Sequence, residues 1–494
     1  MERLHPTRLA QLPAEVLRPG YDRSALAPGI VHLGIGAFMR AHLAAATEAA
    51  IAQGDLRWGI VGVSLRQSDT RDALAPQEGL YTLALRDAHP DGTARQRLQV
   101  MGCVQRVLVA PENPTAVLEA LADERTRIAS LTVTEKGYCH DPASTRLRMD
   151  HPDIVHDLAH VFPRSAIGYL VRALALRRER GLNGITLMSL DNLPANGRVL
   201  RAAVLDFARA LDADLADWIA GHCSFPNSMV DRIVPRTTDA DRTQVSAALG
   251  LDDAWPVMGE PFLDWAVEDE FVAGRPDWQV GGARFVHEAA PWETLKLRMV
   301  NGTHSSIAYL GAMAGWQTVD RAIGQAALRR HIEALMREEI EPTLPTLPGL
   351  DLAAYRESLL SRFANPALAH RTHQIAMDGS QKLPQRLLGT VRDRLATGSS
   401  IRRLALGIAA WLHYLRGTDE AGQGYAVDDP LAAALQMLSA QAASIADPLE
   451  RARRLLGMPA VFGDLAHSAV LAAAIAPHLE SLAQRGVAAT LEAL

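Results

Sequence analysis

After a polar N-terminal stretch, short β-branched apolar runs alternate along the chain with longer helical stretches. The runs lie in "GIVHLGIG" (29–36), "RWGIVGVSLR" (57–66), "RIASLTVTEKG" (127–137) and "GITLMSLDN" (184–192). Apolar strands alternating with helices at this spacing predict a parallel, doubly wound sheet. From about residue 286 the pattern changes. "WETLKLRMVNGTHSSIAYLGAMAG" (292–315), "DRAIGQAALRRHIEALMREEI" (320–340) and "IRRLALGIAAWLHYLRG" (401–417) have the Ala/Leu faces of helices. The Pro-rich "EPTLPTLPGLD" (341–351) reads as an ordered loop. The expected architecture is α/β: a doubly wound sheet domain over 1–285, followed by a mainly α-helical domain over 286–494.

Length supports two domains, because single cores stop growing at roughly 250 to 300 residues and the chain has 494. Net charge is −6 with no Lys/Arg-rich run, which argues against a nucleic-acid partner. No apolar run reaches the roughly 20 residues that span a bilayer, so no membrane association is expected. Cys103, Cys139 and Cys223 are isolated. Their usage fits a reducing cytoplasm, and the absence of a CxxC pair argues against a structural zinc site.

Of 50 basic residues only Lys136, Lys296 and Lys382 are lysines. Such a background marks positions where a removable proton or a compact ammonium is needed, since arginine stays protonated. Asparagine is also scarce, with seven positions. "IVHLGIGAFMRAH" (30–42) runs a strand into Gly34 and Gly36 ahead of a helix, the layout that lets backbone N–H groups approach a pyrophosphate. Met39 stands where the third glycine of the dinucleotide fingerprint belongs, so a plain strand–helix turn is an alternative. Beyond the next strand, Asp69 would hold an adenosine ribose and favour NAD, whereas Arg66 would meet the extra phosphate of NADP. Lys136 and Asn192 follow apolar strands and fall at the carboxyl ends of the sheet, where ligands bind. Asn192 also suits a turn, and Asn227, Asp231 and Arg232 of "FPNSMVDRIVP" also suit a loop-ordering ion pair.

On an α-helix starting near Pro291, Glu293, Lys296, Asn301 and His304 fall within about a 140° arc. This polar face fits a secondary alcohol and ketone pair. A desolvated lysine serves as base, and asparagine amides hold the alkoxide. The roles expected are Lys296 as base, Asn192 and Asn301 at the oxyanion, His304 orienting substrate and Glu293 passing the proton to water.

"GIGAFMRAH", "TVTEKGY", "SLDN", "FPNSMVDRIVP", "EPFLDW", "KLRMVNGTHS" and "MDGSQKLPQR" resemble the polyol-specific long-chain (mannitol dehydrogenase) family from about residue 28 to the C-terminus. The resemblance implies a Rossmann-type N-terminal domain, a largely helical C-terminal domain, no metal, and a catalytic lysine at Lys296. It also implies that Asn192 and Asn301 polarise the reacting oxygen and that Asp231, His304 and Lys382 line the substrate site. The residues expected at the cofactor, NAD with NADP left open, are Gly34, Ile35, Gly36, Phe38, Arg40, Asp69, Glu135, Lys136 and Asn192. Within the family, "NPALAHRTHQIAMDGSQKLPQR" (365–386) and "TEKGYC" resemble the fructuronate-reducing branch, while "FPNSMVDRIVP" and "LDDAWPV" look as much like the mannitol branch. A uronate carboxylate needs a cation, for which Lys382 and Arg371 are expected. A catalytically silent dinucleotide sensor is the reading from another class. The expected partner is a small sugar acid or polyol, and the chain is expected to be a monomer or small homo-oligomer.

Overall fold

The computed structural model describes residues 1–88, 93–141, 144–368 and 370–494. The chain divides into two compact units, one running to Ala290 and the other comprising Pro291–Leu494.

Among its described residues the first unit carries three sheets built from β1 (Ile30–Leu33), β2 (Ile60–Ser64), β3 (Tyr81–Ala88), β4 (Ala94–Met101), β5 (Val104–Val109), β6 (Ile128–Leu131), β7 (Thr186–Ser189), β8 (Ser228–Asp231), β9 (Val257–Gly259), β10 (Asp264–Glu268) and β11 (Ala283–Val286). The main sheet is entirely parallel, in the order β5-β2-β1-β6-β7. Every residue of β1, β6 and β7 is buried, the reason these strands read as continuous apolar runs. Successive side chains serve opposite faces. Val31, Val61, Ala129 and Leu187 pack with Val117, Leu170 and Phe207 from the helices Pro114–Ala122, Ala166–Glu179 and Asn196–Leu211. Ile30, Ile60, Ile128 and Met188 pack with Leu43, Ile51, Trp265 and Trp278 on the other side. The sheet is thus wound on both faces, as the alternating pattern predicts. The smaller sheets, β4-β3-β9 and β11-β10-β8, are not anticipated by it.

The strand order reverses beside β1, between β2 on one side and β6 on the other, which places the sheet's crevice at their carboxyl ends. There β1 runs into Gly34, whose φ is +89°. A Cβ at Gly34 would lie 2.1 Å from the Thr132 carbonyl oxygen after β6. Two constraints therefore demand glycine: the left-handed backbone and the close approach of a neighbouring chain.

The second unit is helical, with only isolated bridges of β character among its described residues. Its helix Arg402–Tyr414 packs against Thr303–Met313 and Ala469–Glu492. Among its described residues three segments wind as π-helix rather than α-helix: Lys296–Gly302, Leu335–Ile340 and Pro384–Leu388. The first and third meet at Gly302, where a Cβ would lie 2.7 Å from the Arg386 carbonyl oxygen. No single helix among the described residues is long and apolar enough to cross a membrane. The pair Pro459–His467 and Ala469–Glu492 meets that test only jointly, across a 110° bend.

Gly34→Ala should cost roughly 2 kcal/mol or more, because strain and collision add. Gly36→Ala should melt within roughly 0.5 kcal/mol of the parent, since its nearest neighbour would be the Gly34 carbonyl oxygen at 3.8 Å. Thermal unfolding of both variants checks this, and equal melting temperatures would refute the steric account.

Candidate functional site

Within the first unit a cavity of about 980 Å³ opens at the ends of β1, β2 and β6, walled by Gly34, Ile35, Gly36, Arg66, Thr132 and Lys136, among others. Its floor is the segment after β6, which turns abruptly at Thr134 (φ 62°, ψ 165°). A β-branched residue in that conformation is strained, and Asp191 holds it there. The Asp191 carboxylate, 9% exposed, accepts the N–H of Val133 at 3.0 Å, the N–H of Thr134 at 2.9 Å and the Tyr138 hydroxyl at 2.7 Å. Burial pushes this carboxyl up from its ordinary range, against the pull of those three donors. Asp191 immediately precedes Asn192 at the carboxyl end of β7, so one loop both clamps the cavity floor and carries a proposed oxyanion residue. The loop is itself pinned by Asn196, which donates to the carbonyls of Ser228 and Asp191 and accepts from the Ser228 N–H.

The expected cofactor residues divide. Gly34, Ile35, Gly36 and Lys136 wall the cavity. Glu135 is exposed beside Lys136 in the turn Glu135–Tyr138. Asp69 lies exposed in the first turn of the helix Asp69–Leu74, while Arg66 is on the wall. Phe38 stacks on His42, 5.0 Å between ring centroids. Arg40 is a correction: it is 4% exposed, donates to the Trp255 carbonyl at 2.6 Å and packs over the Tyr81 ring. The short helix after Gly36 turns Arg40 into the core, where a guanidinium survives by satisfying a carbonyl. Asp231 ends β8 in register with Asp264 of β10. Asn227 and Arg232 are structural. Asn227 donates to the Glu268 carboxylate at 2.9 Å, and Arg232 donates to the Glu260 carbonyl at 2.9 Å.

The second unit holds the lysine motif. Lys296, 9% exposed, begins the π-helical turn, Asn301 lies near its end, and Glu293 sits in the preceding helix Ala290–Leu295. This corrects the regular-helix expectation. Residues five apart lie roughly 140° apart on an α-helix, but in a turn closed by i→i+5 bonds they come to within roughly 50°. The wider turn aligns Lys296 and Asn301, which an α-helix would separate.

His304, in the helix Thr303–Met313, stacks on Phe363 at 5.2 Å and meets the edge of His370 at 5.1 Å. Burial, then the nearby His370, Arg362, Arg386 and Lys382, holds its imidazolium well below the usual histidine range. His304 is therefore neutral at neutral pH and has one N–H to donate. Lys382 donates to the Ile375 carbonyl at 3.4 Å, and Arg386 to the Ser305 hydroxyl at 3.1 Å. Burial lowers the affinity of both for their protons. Arg371 does not join this group: it lies exposed at the start of Thr372–Ala376, its backbone bridged to Thr318. The cations that bear on His304 besides Lys382 are Arg362 and Arg386, which spacing alone did not single out. The available signals were the position of Arg386 four residues after a rare lysine and of Arg362 three before a rare asparagine.

Asp191→Asn would set an amide N–H₂ against the donors of the strained turn. NADH affinity should fall by about tenfold, or about 1.4 kcal/mol, in a fluorescence titration. Unchanged affinity would show that the turn holds its shape without the carboxylate.

Two family descriptions match the chain: the mannitol dehydrogenase Rossmann domain over residues 28–280 and the mannitol dehydrogenase C-terminal domain over 288–483. The chain is 45% identical to the D-mannonate oxidoreductase of Escherichia coli (strain K12), over 97% of this chain and 98% of that one. It is 39% identical to the mannitol 2-dehydrogenase of Phaeosphaeria nodorum, over 99% and 85%. Among solved structures it is similar to Pseudomonas fluorescens mannitol 2-dehydrogenase in ternary complex with NAD and D-mannitol, with a TM-score of 0.83 and 38% identity over 99% of each chain. With both halves matched and the lysine motif in place, the chain belongs to the mannitol dehydrogenase family and is an NAD-dependent dehydrogenase acting on secondary alcohols.

Proposed function

We propose that the reaction is the reversible reduction of a keto-sugar acid, D-fructuronate, to the sugar acid D-mannonate. The observation that carries this reading is the set of cations around His304. Lys382 and Arg386 offer a substrate carboxylate what a neutral polyol would not require. The likeness to D-mannonate oxidoreductase supports it. The second reading, a D-mannitol/D-fructose dehydrogenase, is favoured by the mannitol 2-dehydrogenase relatives.

NAD fits the cavity at the strand switch point, where Gly34 and Gly36 let backbone approach a pyrophosphate and Lys136 and Arg66 stand on the wall. When bound, it exchanges hydride with the substrate carbon. The remaining steps belong to the chain's own side chains. In the oxidative direction Lys296 takes the hydroxyl proton, and in reduction its ammonium returns that proton to the forming alkoxide. Asn301, brought to the face of Lys296 by the π turn, and Asn192 donate amide N–H groups to the oxygen as its charge develops. Neutral His304 donates to a substrate hydroxyl, Asp231 accepts from another, and Glu293 passes the proton between Lys296 and water.

Lys296→Ala should retain NADH binding while kcat falls by about 10²- to 10⁴-fold, measured by single-turnover kinetics beside a fluorescence titration. Retained turnover would remove Lys296 as the base, and absent turnover in the parent with binding intact would favour a dinucleotide sensor. Lys382→Met should raise KM for D-fructuronate by about 10- to 150-fold, the worth of one charged hydrogen bond, and leave KM for D-fructose within about twofold. Because the Lys382 ammonium is lost at a lower pH than an ordinary lysine's, the fructuronate KM should climb with rising pH before fructose shows any trend. Preference for fructose in the parent would support the mannitol reading instead.

A further inference from the structure

The cavity wall also carries a group that dehydrogenation does not use. Cys139, His151 and Asp153 each present one ligand atom, and these atoms all lie within 4.8 Å of one another. All three line the cofactor cavity. No sequence motif announces them, because 11 residues separate Cys139 from His151; backbone pairing brings them together. The Arg148 N–H donates to the Cys139 carbonyl at 2.8 Å, and the His151 N–H donates to that of Arg148 at 3.0 Å. These bonds fold the start of the helix Pro152–Ala159 back onto the cysteine. Cys139 itself sits at φ 51°, in the left-handed region that a non-glycine residue rarely adopts, and is 5% exposed.

We propose that Cys139, His151 and Asp153 form a binding site for a thiophilic divalent cation of the zinc class, and that the bound cation excludes NAD from the cavity. The donor set is suitable: one thiolate, one imidazole and one carboxylate, a three-ligand set that leaves a fourth tetrahedral position for solvent. Thiolate and carboxylate together neutralise the divalent charge.

Binding forms a metal–sulfur bond and releases the thiol proton to solvent, with no change of oxidation state. The thiol is pushed up to about 11 by burial and by Asp153 and Asp157, with Arg66 and Arg148 opposing. His151 Nδ1 accepts the Asp153 N–H at 3.2 Å, a helix-capping bond that holds the imidazole beside Asp153. The site is inhibitory and is separate from the chemistry at Lys296.

The test is calorimetric titration of the metal-free, full-length protein with zinc chloride, with and without saturating NADH. It is paired with cobalt(II) titration read by the thiolate-to-metal charge-transfer band. The expected result is one zinc per chain, displaced by NADH, with a charge-transfer band that Cys139→Ser abolishes. Asp153→Asn should weaken zinc binding by tenfold or more and leave the band. Because the two variants alter different ligands, a folding defect in one leaves the other informative, and circular dichroism verifies both. Binding unchanged in both variants, absence of the band in the parent, or zinc binding that NADH fails to displace would each overturn the proposal.

Discussion

Much of the first unit depends on one close approach: the Gly34 backbone lies so near the Thr132 carbonyl that no Cβ fits between them. That contact joins the ends of β1 and β6, the strands between which the sheet reverses direction, and it opens the crevice walled by Gly36, Arg66 and Lys136. A bulkier turn would separate these ends and fill the space that a pyrophosphate needs. The same economy explains why a fingerprint with methionine in place of its third glycine still works. Met39 is fully buried in the core beneath the turn, while Gly34 and Gly36 line the cavity.

A second constraint acts on the cavity floor. The chain after β6 must turn sharply, and it does so through a strained threonine that three bonds to Asp191 keep in place. Local strain of this kind persists only where surrounding contacts over-determine it. Here the restraining carboxylate is the neighbour of Asn192, so the geometry of the cofactor floor and of a residue proposed for the oxyanion are mechanically linked.

In the second unit the comparable device is a change of helical pitch. The π turn from Lys296 to Gly302 gives up regular hydrogen bonding, a cost met by the packing of Gly302 against the Arg386 carbonyl. In return it aligns a buried lysine with an asparagine five residues on. The segment it packs against is a second π turn, starting at Pro384, whose missing N–H already weakens the α pattern. Arg386 lies in that second turn, close enough to His304 to help keep it neutral. Helix pitch at Lys296 and the charge around His304 therefore meet at one packing contact.

The chain's own pattern determined the layered α/β plan, because β1, β6 and β7 are buried on both faces and must be apolar throughout. It also determined the lysine motif, because a composition with only three lysines among 50 basic residues makes each visible. The antiparallel pair β3–β4 is not legible in the sequence, since "YTLALRDA" and "ARQRLQVM" carry arginine and glutamine among their apolar positions. Only the tertiary structure decided the pitch at Lys296, the turn of Arg40 into the core, the exposure of Arg371 away from His304, and the meeting of Cys139 with His151 and Asp153. Periodicity reports which side of an element is buried. It carries no record of which carbonyl a guanidinium will find, or of where two distant turns will touch.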